Sequence, residues 1–244
     1  MRFAKAWDTT YPQSYPQHMW MKPWSIIRQW FYWSSALLSI IQAAGWPIWP
    51  LLACSVVALA LIIERMLSLR EQWVAPRGLL EQAIQASQHG VPSPEVIDQL
   101  EQHSFLGQVL SSGWRALESN PRINDVDLRY SMEVAGRQAA HALEKNLSAL
   151  ATIASAAPLL GLLGTVIGMI DIFGAQTPGG SNPAQLAQGI SMALYNTAFG
   201  LIVAIPALMF WRYLRARVDG YVLGLELDAE RFARHLLLIR GKSH

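Results

Sequence analysis

The chain has 244 residues, 52% of them hydrophobic and 15% charged, with a mean hydropathy of +0.22. A soluble domain of ordinary composition carries about 25% charged residues, so this balance points to a membrane protein. The formal net charge of +2 is too small for a nucleic-acid binder, and the single cysteine, Cys54, excludes an internal disulfide and reads as a small packing residue.

Residues 1–44 mix Trp7, Trp20, Trp24, Trp30 and Trp33 with tyrosines and scattered cations. Trp20, Trp24, Ile27 and Phe31 recur at helical spacing opposite Lys22 and Gln29, which predicts a periplasmic or interfacial helix lying in the headgroup layer. Two other readings fit the same residues. One is a signal peptide with Arg28 ahead of the apolar run to Ala44; the other is an extension from an early start codon. Residues 45–67 then predict a first spanning helix, with Trp46 and Trp49 at one interface and Glu64, Arg65 and the following Arg70 at the other. Positive charge favours the cytoplasm, so the N-terminus is expected outside. Glu64, beside an arginine at a helix end, reads as a solvated or paired anchor; the alternative is a proton carrier.

Residues 68–146 are polar, contain no spanning run and predict a cytoplasmic helical region broken at Val91-Pro92-Ser93-Pro94-Glu95 and at Asn120-Pro121-Arg122. Ser93 and Ser87 are placed to flank helices on either side of the first break. From Val126 onward Met132, Ala135, Ala139, Leu143, Leu147 and Leu150 keep one apolar face. That predicts a single long helix running from the cytoplasm into the second span. His89, His103 and His141 have no ligand spacing and read as surface or packing residues.

The second span is predicted over 147–173 and the third over 187–212, joined by a periplasmic loop over 174–186 that carries no Lys or Arg. Arg212, Arg215 and Arg217 place residues 213–244 in the cytoplasm as an amphipathic helix from Val218 to Leu238. In the second span Ala154, Ala157, Gly161, Gly164, Thr165 and Gly168 share one helical face, a pattern that lets two backbones approach closely in lipid. The third span repeats it with Ala193, Thr197, Gly200, Ala204 and Ala207. If the two faces meet, Thr165 and Thr197 line a shared polar seam; otherwise each hydroxyl bonds back to its own helix. Asp171, at the outer end of the second span, either shapes cation access at an outer mouth or sits in the headgroup layer. No phosphate-binding loop, metal-ligand spacing or nucleophile with an ordered base is present, which predicts no enzyme, no cofactor and no metal.

Three ordered motifs, GWPIWPLLACSVVALALIIER, APLLGLLGTVIGMIDIF and GISMALYNTAFGLIVAIPALM, closely resemble the MotA/TolQ/ExbB proton-channel family, nearest to its ExbB branch. The resemblance covers roughly residues 40 to 240. It implies an all-α membrane protein with three transmembrane helices and long cytoplasmic helical extensions, assembled as a pentameric bundle in the bacterial inner membrane. It further implies a pore lined by the second and third spans, with Thr165 and Thr197 matching the pore threonines and Gly161, Gly164, Gly168 and Gly200 holding the helices close. Inside that pore would sit an ExbD-like partner whose single span carries a proton-accepting aspartate, and proton flow would energise a TonB-like protein for outer-membrane uptake. A TolQ-like subunit of the Tol envelope-maintenance system, a flagellar-type stator, a self-contained solute transporter and a structural membrane scaffold are the alternatives. One position departs from the family pattern: Met192 stands where many members carry a glutamate, which leaves proton titration to the partner.

Overall fold

A computed structural model describes residues 45–174 and 183–242. The readings made of residues 1–44 and of positions 175–182 in the predicted loop fall outside the described residues. Among the described residues every regular element is helical: α1 (Ile48–Ser68), α2 (Glu71–Val74), α3 (Leu79–Ala86) with a 3-10 turn at Ser87–His89, α4 (Pro94–His103), α5 (Phe105–Ser119), α6 (Asp125–Glu144), α7 (Leu147–Gly174) and α8 (Pro183–Lys242). The all-α fold class is therefore correct. Three stretches are long and apolar enough to cross a membrane: Ile48–Ser68, Asp125–Gly174 and Leu186–Arg240.

The third span and the C-terminal helix, read separately from the sequence, are one helix of 60 residues, about 90 Å long at 1.5 Å per residue. Nothing between Arg212 and Val218 breaks it, and Pro206 is accommodated inside it. Its buried stripe changes grade along its length. Ala193, Gly200, Ala204 and Ala207 come first, then Leu214, Val218, Leu225, Phe232 and Leu236. Close backbone contact drives helix association in lipid, whereas removal of large apolar surface from water drives it outside, so the change in side-chain size follows the change in solvent.

The body beyond the spans is built on that second half of α8. Leu106, Val109, Leu110 and Trp114 from α5 and Leu128, Met132, Ala139 and Leu143 from α6 share its core, with the Trp114 and Phe232 rings edge to face at 5.3 Å. Caps set the starts of both helices: the Ser104 hydroxyl accepts from the Gly107 amide at 3.0 Å, and the Asn124 side chain accepts from the Asp127 amide at 2.6 Å. Ion pairs stitch α6 to α8, Arg129 to Glu230 and Arg215 to Glu144. The membrane end has its own small cluster, in which Leu51 of α1 meets Ala157 and Ala204.

The single long helix expected from Val126 into the second span is instead two helices, α6 and α7, separated by Lys145 and Asn146. Asn146 adopts φ 64°, a left-handed conformation that an α-helix cannot contain and that asparagine tolerates better than most residues. Its side chain donates to Glu64 at 3.3 Å, and Glu64 also accepts from Arg65 at 3.0 Å. Glu64 is thus a paired anchor, as its place beside an arginine suggested. Arg65 is buried, which its position at a helix end did not suggest. Its guanidinium donates to the Leu143 carbonyl at 3.4 Å, one of the orphan acceptors at the end of α6, where the helix dipole favours a cation.

Two consequences for stability follow from this body. Arg65→Ala strands the Leu143 carbonyl and should lower the thermal unfolding midpoint in detergent, at a cost of about 1–3 kcal/mol for an orphaned buried acceptor. Burial pushes the Asp228 carboxyl above its ordinary range, Arg231 opposes that rise, and Glu81 on α3 reinforces it. The folded state therefore holds this proton more tightly than the unfolded chain. Stability rises as pH falls through the folded value and levels off below the unfolded value of about 3.9. Asp228→Asn should accordingly raise the unfolding midpoint near pH 7, and the gain should fade as the pH approaches 4.

Candidate pore seam between α7 and α8

The two small-residue faces meet. On α7 the buried stripe is Ala154, Ala157, Gly161, Gly164 and Gly168; on α8 it is Ala193, Asn196, Gly200, Ala204 and Ala207. Along this seam the backbones come closest at Gly161 and Gly200. A Cβ on Gly161 would lie 2.8 Å from the Asn196 carbonyl oxygen, and one on Gly200 would lie 2.7 Å from the Ala157 carbonyl oxygen. Both obstacles are backbone, so neither yields to a rotamer change. Gly168 is different: an added Cβ would lie 3.7 Å from the Ala193 Cβ, an ordinary van der Waals contact, so it is buried without being needed for close approach.

Asn196 takes a place that spacing had given to Thr197. Both positions lie three or four residues from Ala193 and Gly200, and periodicity alone does not choose between them. The packing does. Asn196 is 1% exposed and lies flat on Gly164, where an added Cβ would meet its Cβ at 2.8 Å and its Nδ2 at 3.0 Å. The sequence signal for it is a polar side chain in the middle of an apolar span. Buried polar side chains between membrane helices add about 1–2 kcal/mol at most to association.

Thr165 and Thr197 are consequently displaced to the edges of the buried stripe. Each is half-buried, Thr165 next to Gly164 and Thr197 next to Asn196. The Thr165 hydroxyl donates to the Leu162 carbonyl at 2.6 Å, the local bond weighed as the alternative for this residue. Such a bond satisfies the donor and leaves the oxygen lone pairs able to accept. Asp171 is exposed in the last turn of α7, and Met192 is half-buried one turn before Asn196 on α8. The remaining faces of these helices present Leu159, Leu162, Val166, Ile170, Leu194, Ile202 and Met209 to the surroundings. Among the described residues no three His, Cys, Asp or Glu side chains converge to hold a metal.

The sequence that builds this bundle matches that of known proteins. Residues 101–226 match the MotA/TolQ/ExbB proton channel family. The biopolymer transport protein exbB1 of Vibrio cholerae is 32% identical over 78% of this chain and 84% of its own length. An ExbB-like putative biopolymer transport protein of Synechocystis is 30% identical over 73% of this chain and 70% of its own. The Tol-Pal system protein TolQ of Haemophilus influenzae is 40% identical over 37% of this chain and 40% of its own. The chain belongs to the MotA/TolQ/ExbB proton channel family, as its three motifs indicated, and is a membrane protein of energy transduction.

The seam predicts a graded glycine series. Gly161→Ala and Gly200→Ala should each force the helices apart and cost about 1–3 kcal/mol, the range for overpacking a close-packed interface, whereas Gly168→Ala should leave the unfolding midpoint unchanged. Gly164→Ala should behave like the first two, and adding Asn196→Ala should leave most of the loss in place, because alanine keeps the Cβ that the new methyl meets at 2.8 Å. Thermal unfolding of the purified variants in one detergent measures all of these.

Proposed function

We propose that the chain is the ExbB-type subunit of an inner-membrane proton channel and motor. Five copies surround a pore lined by α7 and α8, with Thr165 and Thr197 along the proton path and Asp171 near the outer mouth. α1 lies at the periphery, the N-terminus faces the periplasm, and the helical body and C-terminus face the cytoplasm. An ExbD-like partner contributes a single span bearing the aspartate that takes up and releases protons, and the resulting motion energises a TonB-like protein for uptake across the outer membrane.

The observation that carries this reading is the arrangement of the seam. Glycine and alanine bring α7 and α8 together, while one threonine on each helix stands at the margin, half-buried. Hydroxyls of this kind offer donors and acceptors to a moving proton without a competing charge. With Met192 in the position where many relatives carry glutamate, this reading leaves the pore centre of this chain without a titrating group. A carboxylate on an enclosed apolar partner helix is desolvated, its pKa rises, and it exchanges protons more readily with such a path.

A TolQ-type role is the second reading, and the matching stretch of the Haemophilus influenzae protein favours it. The two readings differ in partner and output. Thr165→Val and Thr197→Val keep the side-chain shape and remove the hydroxyl. In cells relying on this chain, each should lower gradient-dependent uptake by about tenfold, the factor given by about 1.4 kcal/mol lost along the path, with the amount of assembled protein unchanged. Wild-type uptake and an intact envelope in the single and double variants, with the chain expressed and assembled, would sink the channel reading. Normal uptake together with leakage of periplasmic enzymes in the double variant would assign the Tol role instead.

A further inference from the structure

At the junction between the spans and the helical body, one arginine is held in place by neutral groups only. The Tyr221 hydroxyl donates to the Leu69 carbonyl at 3.2 Å, which ties α8 to the residue that follows the first span. One turn earlier, Arg217 donates from Nη1 to the Tyr213 hydroxyl at 2.9 Å and from Nε and Nη2 to the Tyr221 hydroxyl at 3.3 Å each. Its guanidinium carbon also lies 5.8 Å from the centre of the Tyr221 ring. Tyrosine hydroxyls orient a cation without neutralising it. Arg215, two residues away, is engaged instead by Glu144 and Asp219. Among the described residues no carboxylate oxygen lies within 4.0 Å of Arg217, nor of Arg70, the exposed residue next to Leu69.

The donor inventory says what is missing. A guanidinium has five N–H groups, and three of those on Arg217 are engaged, which leaves one on each Nη. Two such groups form the fork that matches two oxygens of a phosphate. The height is suitable as well. Glu64 and Arg65 near the end of α1 mark the edge of the hydrocarbon, one turn before the Leu69 to Tyr221 contact, and the headgroup layer beyond that edge is about 5–8 Å thick. Arg217 lies about 6 Å from Tyr221 along the helix axis, in the direction of the spans.

We propose that Arg217, oriented by Tyr213 and Tyr221 and assisted by Arg70, binds the phosphodiester headgroup of an anionic phospholipid in the leaflet adjoining the helical body. The outward direction of this face rests on the proposed pore arrangement, in which α1 is peripheral and the α8 face tied to its end is turned toward lipid.

The full-length chain purified in a mild detergent, with phosphatidylglycerol or phosphatidylcholine added and retained lipid measured by native mass spectrometry, tests this. Phosphatidylglycerol should be retained and phosphatidylcholine should not. Arg217→Gln should weaken phosphatidylglycerol retention by about fivefold, the equivalent of about 1 kcal/mol for one basic side chain at an anionic surface. Tyr213→Phe combined with Tyr221→Phe keeps every charge and should weaken retention by a similar factor, because the guanidinium loses its orientation. Three results would each overturn the site: equal retention by wild type and Arg217→Gln, full retention by the double phenylalanine variant, or an equal loss from Arg231→Gln on the remote part of α8. Displacement of the lipid by millimolar inorganic phosphate would likewise overturn it, in favour of a free-phosphate site. Lipid retention needs neither the partner nor proton flow, so its failure leaves the threonine test untouched, and the reverse also holds.

Discussion

The contact of α7 with α8 at Gly161 and Gly200 constrains everything else in the membrane part of the molecule. Each glycine faces a backbone carbonyl of the other helix at a distance that forbids even a methyl group. In lipid, neighbouring side chains are as apolar as the solvent, so little is gained by hiding them, and association depends on how closely the backbones pack. The same closeness fixes the rotation of both helices about their axes. Once Gly161, Gly164 and Gly200 face inward, Thr165 and Thr197 can only stand at the rim of the contact. The hydroxyls are therefore positioned by glycines that contribute no chemistry of their own.

α8 carries this geometry into the helical body. It is uninterrupted from Pro183 to Lys242, and its buried stripe passes from alanine and glycine to leucine, valine and phenylalanine. A rigid rod with two kinds of contact surface transmits any shift of the seam to the body without a hinge. α7 has no such continuity. Asn146 breaks the path from α6, and the break is held by Glu64, Arg65 and the last carbonyls of α6. α7 and α8 thus enter the body differently, α8 as a continuous rod and α7 through a pinned joint.

Much of this was legible in the chain. The spans announce themselves through apolar length and through tryptophan and arginine at their ends, and the small-residue stripes of Ala154 to Gly168 and Ala193 to Ala207 are visible as periodicity. Family membership was readable from three motifs because their order and separation are far more specific than any one of them. Asn196 was not readable. It and Thr197 both satisfy helical spacing, and only the groove over Gly164 chooses the asparagine. Gly168 shows the converse, since it has the sequence of a close-contact glycine but sits against Ala193 with room left over. The burial of Arg65 was not legible, because a helix end beside a charged region is ordinarily solvated and only the approach of α6 removes it from water.

By itself the sequence determined which segments are apolar enough to enter a membrane, which faces of them are small and to which family the chain belongs. These are properties of composition and period, each written in residues close together in the chain. Tertiary structure decided which of two adjacent residues is buried, whether a helix continues or breaks at Asn146, and that Arg215 finds Glu144 on another helix. Each of those outcomes depends on an atom contributed from a distant part of the chain, and no local pattern encodes where that atom will be.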